Sequence, residues 1–278
     1  MTGALVAKSR DAIFAANRAV GSIALCVKNV SGKTRRDQVH EAGSLRVRCP
    51  GSPARELEAV IINTAGGAAG GDRFDFDFSA GEGTSLVVTT AAAEKVYRTL
   101  GPETAIGVKL DVAAGATLSW LPQETILFDR ARLTRTIDVT IAPDAWLFLA
   151  EGIVFGRSGM GETVVEGALF DRWRVRRGGK LVYAETVRLD GALSARLAEP
   201  AVAKGGIAVA TVLIVPGEQG AVDAVRALQD QFAGEVGASA WNGVAAVRLC
   251  ANDGAALRHD LIHVMTALRG SLPRIWTN

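Results

Sequence analysis

Apolar and polar positions alternate over short stretches along most of this chain, which is the pattern of β-strands with one buried face. The clearest stretch is 74–78, where phenylalanine alternates with aspartate. Similar short apolar runs recur, and turn residues such as Gly, Pro, Asn or Asp separate them. They lie at 23–27, 45–47, 60–62, 106–112, 117–121, 137–141 and 146–149. The pattern therefore predicts an all-β body of short strands.

The turn between the runs at 60–62 and 74–78 is rich in glycine. Its glycines are Gly66, Gly67, Gly70 and Gly71. Their order does not match the G-x-G-x-x-G fingerprint of a dinucleotide site, and no convincing helix follows. A P-loop would need Lys-Ser/Thr where this chain has Asp72-Arg73. We predict that the glycines join two strands by allowing positive φ and close backbone approach, with a role for Asp72 beside them as the alternative.

A hairpin is predicted in the second half of the chain. Arginine alternates with apolar residues over 172–177, and this run meets the apolar run 181–183 across Gly178-Gly179. A two-residue glycine connection between alternating runs is a strong hairpin signal. We expect the arginine row to face solvent. If it binds a partner, an acidic protein surface suits it better than a nucleic-acid duplex.

Helical periodicity is confined to the C-terminal third. Two sets of apolar residues each share a helical face, and the second set follows Asn252-Asp253 and precedes Gly270. The sets are Val222, Val225, Leu228 and Phe232, and Leu257, Leu261, Val264, Met265 and Leu268. Residues 244–250 between them are predicted as a strand. We therefore predict one domain over 1–278, mainly β with two appended helices, in which 1–20 is a poorly ordered or variable N-terminal segment.

Composition excludes several classes of protein. The 278 residues include 31 basic and 29 acidic side chains, a net charge of +2. Because a phosphate-binding surface needs a concentrated positive field, nucleic acid is not expected as the main partner. The cysteines, Cys26, Cys49 and Cys250, form no C-x-x-C pair, which is typical of a reducing compartment. No signal-peptide pattern and no membrane-length apolar run is present, so we expect a soluble cytoplasmic protein.

The sequence offers little support for ordinary catalysis. Ser158 is not part of a G-x-S-x-G elbow, and the histidines are only His40, His259 and His263. His259 and His263 are spaced i, i+4 on the last predicted helix, a spacing that can chelate a transition metal. They lie off its apolar stripe, no Glu follows the first of them, and no third ligand is evident. Histidines that face solvent or a partner are therefore the favoured interpretation.

Carboxylates are abundant, and their positions differ. Asp75 and Asp77 alternate with phenylalanine, so we expect them to face water. Glu151 and Glu185 directly follow the apolar runs at 146–150 and 181–184, so we predict that each ends a strand. A carboxylate there is costly to bury unless it has a partner or a chemical task.

Short strings spread along the chain carry a family resemblance. They are Thr64-Ala65-Gly66-Gly67, Gly70-Gly71-Asp72, Thr89-Thr90, Lys95-Val96-Tyr97-Arg98, Trp120-Leu121-Pro122-Gln123-Glu124, Glu151 with Phe155-Gly156-Arg157, Gly161-Glu162 and Leu272-Pro273-Arg274-Ile275-Trp276. No single string is specific, but their order and spacing from about Gly21 to the C-terminus are. In these features the chain resembles the urease accessory proteins of the UreD family, also called UreH.

The resemblance implies a non-enzymatic chaperone with a β-helix-like stack of sheets and two helices. Members of this family form a complex with UreF and the GTPase UreG, expected to be a dimeric UreD-UreF-UreG assembly. That complex docks on urease apoprotein (UreABC) and assists GTP-dependent insertion of nickel. The resemblance implies no permanently bound cofactor, only Ni²⁺ in transit, and neither nucleic acid nor membrane as a partner.

The resemblance also implies an internal nickel path lined partly by acids. Carried over by position, its residues are Asp72, Glu94, Glu151 and Glu185. Glu94 departs from the family, whose members can carry a small hydroxyl residue there. Scattered carboxylates suit a transfer role, since a closed set of histidines and thiolates would retain the metal. Each acid also has a structural interpretation: Asp72 as a cap on turn amides, Glu94 and Glu185 as partners of Arg or Lys, and Glu151 as a satisfied buried acid.

Two other functions stay open at this point. A structural scaffold could link UreF and UreG to urease without touching metal. A β-helix enzyme acting on polysaccharides would need two carboxylates about 5–10 Å apart and a row of aromatic residues for sugar stacking. The two Tyr and five Trp form no such row in the sequence, which argues against the enzyme.

Overall fold

The computed structural model describes residues 18–51 and 56–277. The predicted variable segment, 1–20, falls mainly on 1–17, which lie outside the described residues. Within the described ranges, no helix has both the length and the apolar character needed to span a bilayer.

Strands dominate the chain up to residue 192. They are β1 (Val20–Val30), β2 (Lys33–Ala42), β3 (Leu45–Arg48), β4 (Leu57–Asn63), β5 (Arg73–Ala80), β6 (Ser85–Thr90), β7 (Glu94–Val96), β8 (Thr104–Val112), β9 (Thr117–Leu121), β10 (Thr125–Leu127), β11 (Arg132–Ile141), β12 (Trp146–Phe155), β13 (Glu166–Arg177) and β14 (Lys180–Ala192). Helices and further strands follow. They are α1 (Leu193–Ala198), β15 (Ala208–Val215), α2 (Gln219–Arg226), β16 (Glu235–Trp241), β17 (Val244–Ala251), α3 (Gly254–Arg269) and α4 (Arg274–Thr277).

The strands form two sheets that face each other. Sheet A has the order β14-β13-β11-β8-β5-β1-β2, and sheet B has the order β16-β17-β15-β12-β9-β6-β4-β3. The short strand β10 joins β12 to β7 beside the main path of sheet B. From β4 to β13 the chain passes back and forth between the sheets, and the strands pair in parallel within each sheet. The result is a solenoid-like stack of about four turns, which confirms the predicted β-helix-like architecture.

The glycine-rich turn carries the chain from β4 in sheet B to β5 in sheet A. Gly67 has φ +148°, and a Cβ there would lie 2.5 Å from the Tyr97 ring. A Cβ on Gly70 would lie only 2.0 Å from Thr99 Oγ1. Both predicted reasons for the glycines, unusual φ and close approach, are therefore confirmed.

Two apolar cores hold the elements together. The first lies between the sheets, and the second lies between the outer face of sheet B and α2, α3 and α4. Strand β12 contributes alternate residues to each core, because successive side chains of a strand point to opposite faces. Leu149 and Ile153 belong to the first core, whereas Phe148 and Ala150 belong to the second.

Several predicted elements are confirmed. Strands β13 and β14 form an antiparallel hairpin across Gly178-Gly179, and the outward Arg172 pairs with Asp138 of β11 at 3.1 Å. Helix α3 is capped by Asp253, whose Oδ1 accepts from the amide of Ala256 at 2.8 Å. Two short helices, α1 and α4, add to the two that were predicted.

Some predicted boundaries are wrong. Helix α2 ends at Arg226, before two members of its apolar set, since a 3₁₀ turn follows and Phe232 is already extended. Glu151 and Glu185 do not end strands. Strand β12 continues to Phe155 and β14 continues to Ala192, because each acid has partners that make a mid-strand position tolerable.

Candidate functional site

The first core contains a buried cluster of charged residues. Arg135 of β11 and Asp171 of β13 are opposite each other in the parallel register of sheet A. Glu151 of β12 reaches them from sheet B. Arg135 donates from Nε to Asp171 Oδ1 at 3.1 Å, from Nη2 to Asp171 Oδ2 at 2.5 Å, and from Nη1 to Glu151 Oε2. All three side chains are buried, so these contacts replace water.

Two tryptophans complete the hydrogen bonding of this cluster. Trp120 Nε1 donates to Glu151 Oε1 at 2.7 Å, and Trp173 Nε1 donates to Asp171 Oδ1 at 3.0 Å. Every carboxylate oxygen of the cluster therefore accepts at least one hydrogen bond. Satisfied partners of this kind are what allow charged groups to remain inside an apolar core.

The cluster carries more negative than positive groups. Burial raises the pKa of Glu151, and the neighbouring Arg135 guanidinium opposes that rise. Burial also acts to lower the pKa of Arg135, but the attraction of Asp171 and Glu151 outweighs it, so the guanidinium stays charged. Two carboxylates share one cation, and the site therefore favours a further positive charge, either a proton or a metal cation.

A cavity of about 630 Å³ opens beside the cluster, between the last strands of the two sheets. Arg135, Glu151 and Asp171 line it. The remainder of its wall is mainly apolar. Its apolar lining includes Ile153, Phe155, Leu169, Trp173, Val187, Leu189, Leu197, Val209 and Leu249. Few polar groups on an apolar wall are the usual composition of a pocket that binds and orients a small ligand.

Glu185 lies close to this cavity, at the outer strand of sheet A. It forms an ion pair of 2.7 Å with Arg248 of β17, which also lines the cavity. Tyr183 donates to Glu185 at 2.5 Å and accepts from Arg248 at 2.9 Å. Burial, and then the bond to Glu185, raises the pKa of Tyr183, so its hydroxyl stays protonated. Glu185 thus connects β14, the edge strand of sheet A, to β17 of sheet B, which agrees with its predicted role as an arginine partner.

Asp72 caps the glycine-rich turn. Its Oδ1 accepts from the amide of Ala19 at 2.8 Å, and its Oδ2 accepts from the amide of Ala69 at 2.7 Å. These two bonds tie the start of β1 to the turn. The carboxylate is buried and acts as the cap that its structural interpretation predicts.

Glu94 is a second acid in this part of the molecule, and it is half-buried. Burial raises its pKa to about 7, and the charge of Asp72 contributes to the rise. Hydrogen bonds from Asn63 Nδ2, at 3.1 and 3.2 Å, oppose it. Its predicted partner was Arg or Lys, but the hydrogen-bonding partner is an amide. Glu94 therefore titrates near neutral pH.

Glu94 and Glu151 face the same interior. Glu94 of β7 pairs with Thr125 of β10, which pairs with Ile153 of β12. Residues in register on neighbouring strands point to the same side of a sheet, so Glu94 faces the same side as Ile153. Glu151 also faces that side, because it lies two residues from Ile153 on the same strand. At about 4.8 Å between strands, the backbone of Glu94 lies roughly 10 Å from that of Ile153.

The four acids of the predicted nickel path fall into two groups. Asp72 lies near Glu94, and Glu151 and Glu185 lie near the cavity. In the part of the chain that is described, no three His, Cys, Asp or Glu side chains converge to hold a metal ion. Asp171 was absent from the predicted path, although it accompanies Glu151 at the cavity.

His259 and His263 lie one turn apart on α3, away from its apolar stripe, as the spacing predicted. His259 is exposed and His263 is half-buried. Their ring centroids are 4.2 Å apart. The pair lies on the helical layer that covers the outer face of sheet B, separate from the acids between the sheets.

Comparison with known proteins identifies the family. The family model described as UreD urease accessory protein matches residues 19–277. The chain is 54% identical over 270 residues to the urease accessory protein UreD of Rhodopseudomonas palustris strain BisA53. This alignment covers 97% of the chain and 94% of that protein. It is 56% identical over 269 residues to UreD of strain BisB18, with coverages of 96% and 97%. It is 54% identical over 268 residues to UreD of Bradyrhizobium diazoefficiens, also with coverages of 96% and 97%. The chain therefore belongs to the UreD family of urease accessory proteins.

Proposed function

We propose that this protein is a non-enzymatic urease maturation chaperone that conducts Ni²⁺ between its two sheets. It forms a complex with UreF and the GTPase UreG on urease apoprotein and assists GTP-dependent insertion of nickel. One observation carries the conduction step. On the wall of a cavity of about 630 Å³, Glu151 and Asp171 share one guanidinium, that of Arg135, while the other arginine of the wall, Arg248, is paired with Glu185.

The chemistry of these groups suits a metal in transit. Ni²⁺ would replace part of the hydration shell with carboxylate oxygens and keep water in its other positions. Carboxylates bind nickel less firmly than imidazole or thiolate groups, so each step remains reversible. Conduction requires sites that are favourable enough to enter and weak enough to leave. Glu94 and Glu151 face the same interior and provide two separate weak binding sites for the ion.

A scaffold without metal contact is the second candidate. It is favoured by the structural partners of the four predicted acids: Asp72 caps a turn, Glu94 bonds to Asn63, Glu151 pairs with Arg135 and Glu185 pairs with Arg248. The polysaccharide enzyme has no comparable support. Trp120 and Trp173 lie in the core and bond to the acids, so they are not available to stack on sugars.

The discriminating experiment combines assembly with activation. The protein is co-purified with UreF and UreG, and the complex is tested for nickel-dependent activation of urease apoprotein. Glu151→Gln keeps the shape of the side chain and removes its charge. Asp77→Asn makes the same chemical change at an exposed strand position and is the matched control. We expect both variants to assemble and only Glu151→Gln to lose activation, by roughly tenfold or more.

Each part of the proposal has its own contrary result. If the complex forms and Glu151→Gln activates urease like the wild type, the conduction step is wrong and the scaffold is favoured. If wild-type protein does not assemble with UreF and UreG, the proposed complex is wrong.

A further inference from the structure

The hydrogen bonds of the two helical histidines fix which ring nitrogens are free. His263 Nδ1 lies 2.8 Å from the carbonyl oxygen of His259. A carbonyl oxygen only accepts, so Nδ1 of His263 must carry the proton in this contact. In the neutral ring, Nε2 then has a free lone pair.

The same reasoning applies to His259. Its Nδ1 lies 3.0 Å from Asp260 Oδ1. That carboxylate also accepts from the amides of Ala233 and Gly234, at 2.8 and 2.7 Å, so it is held in place as an acceptor. Nδ1 of His259 therefore donates, and Nε2 is again left with its lone pair.

This arrangement matches the usual surroundings of metal-binding histidines. A ligating histidine commonly donates its other ring N–H to a carboxylate or a backbone carbonyl, which fixes the tautomer and the ring orientation. His259 uses the buried carboxylate of Asp260, and His263 uses a backbone carbonyl. The i, i+4 spacing brings the rings together, with centroids 4.2 Å apart on the exposed side of α3.

We propose that His259 and His263 form a surface site for a divalent transition-metal ion, bound through the two Nε2 atoms. Imidazole ligands select borderline ions such as Ni²⁺, Cu²⁺ or Zn²⁺ over Mg²⁺ and Ca²⁺. Among the described residues, no third His, Cys, Asp or Glu completes the site, so water fills the remaining positions. The site is therefore open and exchanges its metal readily.

The site is independent of the proposed interior path. Helix α3 packs on the outer face of sheet B through Leu257, Leu261 and Val264, whereas the cavity lies on the inner face. A metal ion on the pair would be in contact with solvent. Its binding can be measured on the full chain without urease, UreF or UreG.

Nuclear magnetic resonance of the histidine rings gives a site-specific test, because the chain has only three histidines. Paramagnetic Ni²⁺ is titrated into metal-free, full-length protein. We expect the ring signals of His259 and His263 to broaden together at low Ni²⁺. His40, an exposed residue of β2, is the internal control and should stay sharp over the same range.

Matched substitutions complete the test. His259→Gln and His263→Gln should each raise the Ni²⁺ concentration needed to broaden the remaining ring by about tenfold or more. His40→Gln should change nothing, and Glu151→Gln should leave the broadening intact, which separates this site from the interior acids. The proposal is overturned if the helical rings respond no earlier than His40, or if either single variant keeps the wild-type response.

Discussion

Glu94 links protonation to the stability of the fold. Its pKa rises from 4.5 to about 7, with burial as the largest cause. A carboxyl whose pKa is raised on folding makes the folded state bind its proton more tightly than the unfolded state does. Its stabilising contribution is complete below about pH 4.5 and is lost as the pH rises through about 7. Protonated Glu94 cannot bind a cation, so nickel would compete with a proton there.

Glu94→Gln should remove this pH dependence. Above pH 7 the variant should be more stable than the wild type, by up to about 3 kcal/mol, because it buries no charge. Toward pH 5 the difference should shrink. Urea unfolding at pH 5 and pH 8 measures both free energies. Glu82→Gln, at an exposed acid, is the control and should alter neither value. An unchanged pH dependence in Glu94→Gln would contradict the assignment.

Arg135 holds the buried cluster together. Arg135→Met should lower the free energy of unfolding by about 3–5 kcal/mol, since two buried carboxylates lose their cation. Arg132→Met is the control on the same strand. Its ion pair with Asp190, at 3.6 Å, has side chains 43% and 55% exposed, so the loss should stay below about 1 kcal/mol. Urea unfolding at neutral pH compares them. Equal losses would show that the cluster contributes no more than a surface pair.

The sequence contains a signal for this buried cluster, but the predicted strands were too short to include it. Arg135 shares the face of Leu133 and Ile137, and Asp171 shares the face of Leu169 and Trp173. A charged residue on the apolar face of a strand marks a buried charge. The predicted strand at 137–141 began too late to include Arg135, and the hairpin run at 172–177 began just after Asp171.

At the level of elements, strands were predicted correctly where buried and exposed residues alternate along them. Strands that are held only by main-chain hydrogen bonds to a neighbouring strand were missed. Strand β2 is exposed over most of its length, with only Thr34 buried, and its main-chain bonds to β1 hold it in place. No apolar alternation marks such an edge strand. The three-residue strands β7 and β10 are too short for any period to be visible.

Capping gives a prediction for α3. Asp253→Ala should cost about 1 kcal/mol of stability, because the Ala256 amide loses its acceptor. Glu218 occupies the same position before α2 but makes no side-chain capping bond, so Glu218→Ala is the control and should have little effect. Thermal or urea unfolding of the two variants gives the comparison. A loss for Glu218→Ala as large as that for Asp253→Ala would refute the capping role.

For the whole molecule, alternation predicted a β body, and the family resemblance implied the stack. The resemblance also implied an internal path, but neither source specified which strands form the walls of the cavity. Its walls come from strands far apart in the chain, β11 to β14 and β15 to β17, together with α1. Local periodicity indicates which face of each strand is buried, but it does not indicate which strands meet across the interior. The convergence of Glu151 with Asp171 therefore required the structure.

The stacked strands also have a consequence for how the chain is synthesised. Leu118 of β9 pairs with Leu86 of β6 and Leu147 of β12, each about thirty residues away. A strand emerging from the ribosome thus finds its neighbour already made, and the stack can grow one turn at a time. The cavity is different, because β15, β16 and β17 close it from the C-terminal side. Glu151 and Arg135 consequently remain exposed to solvent until nearly the whole chain has been translated.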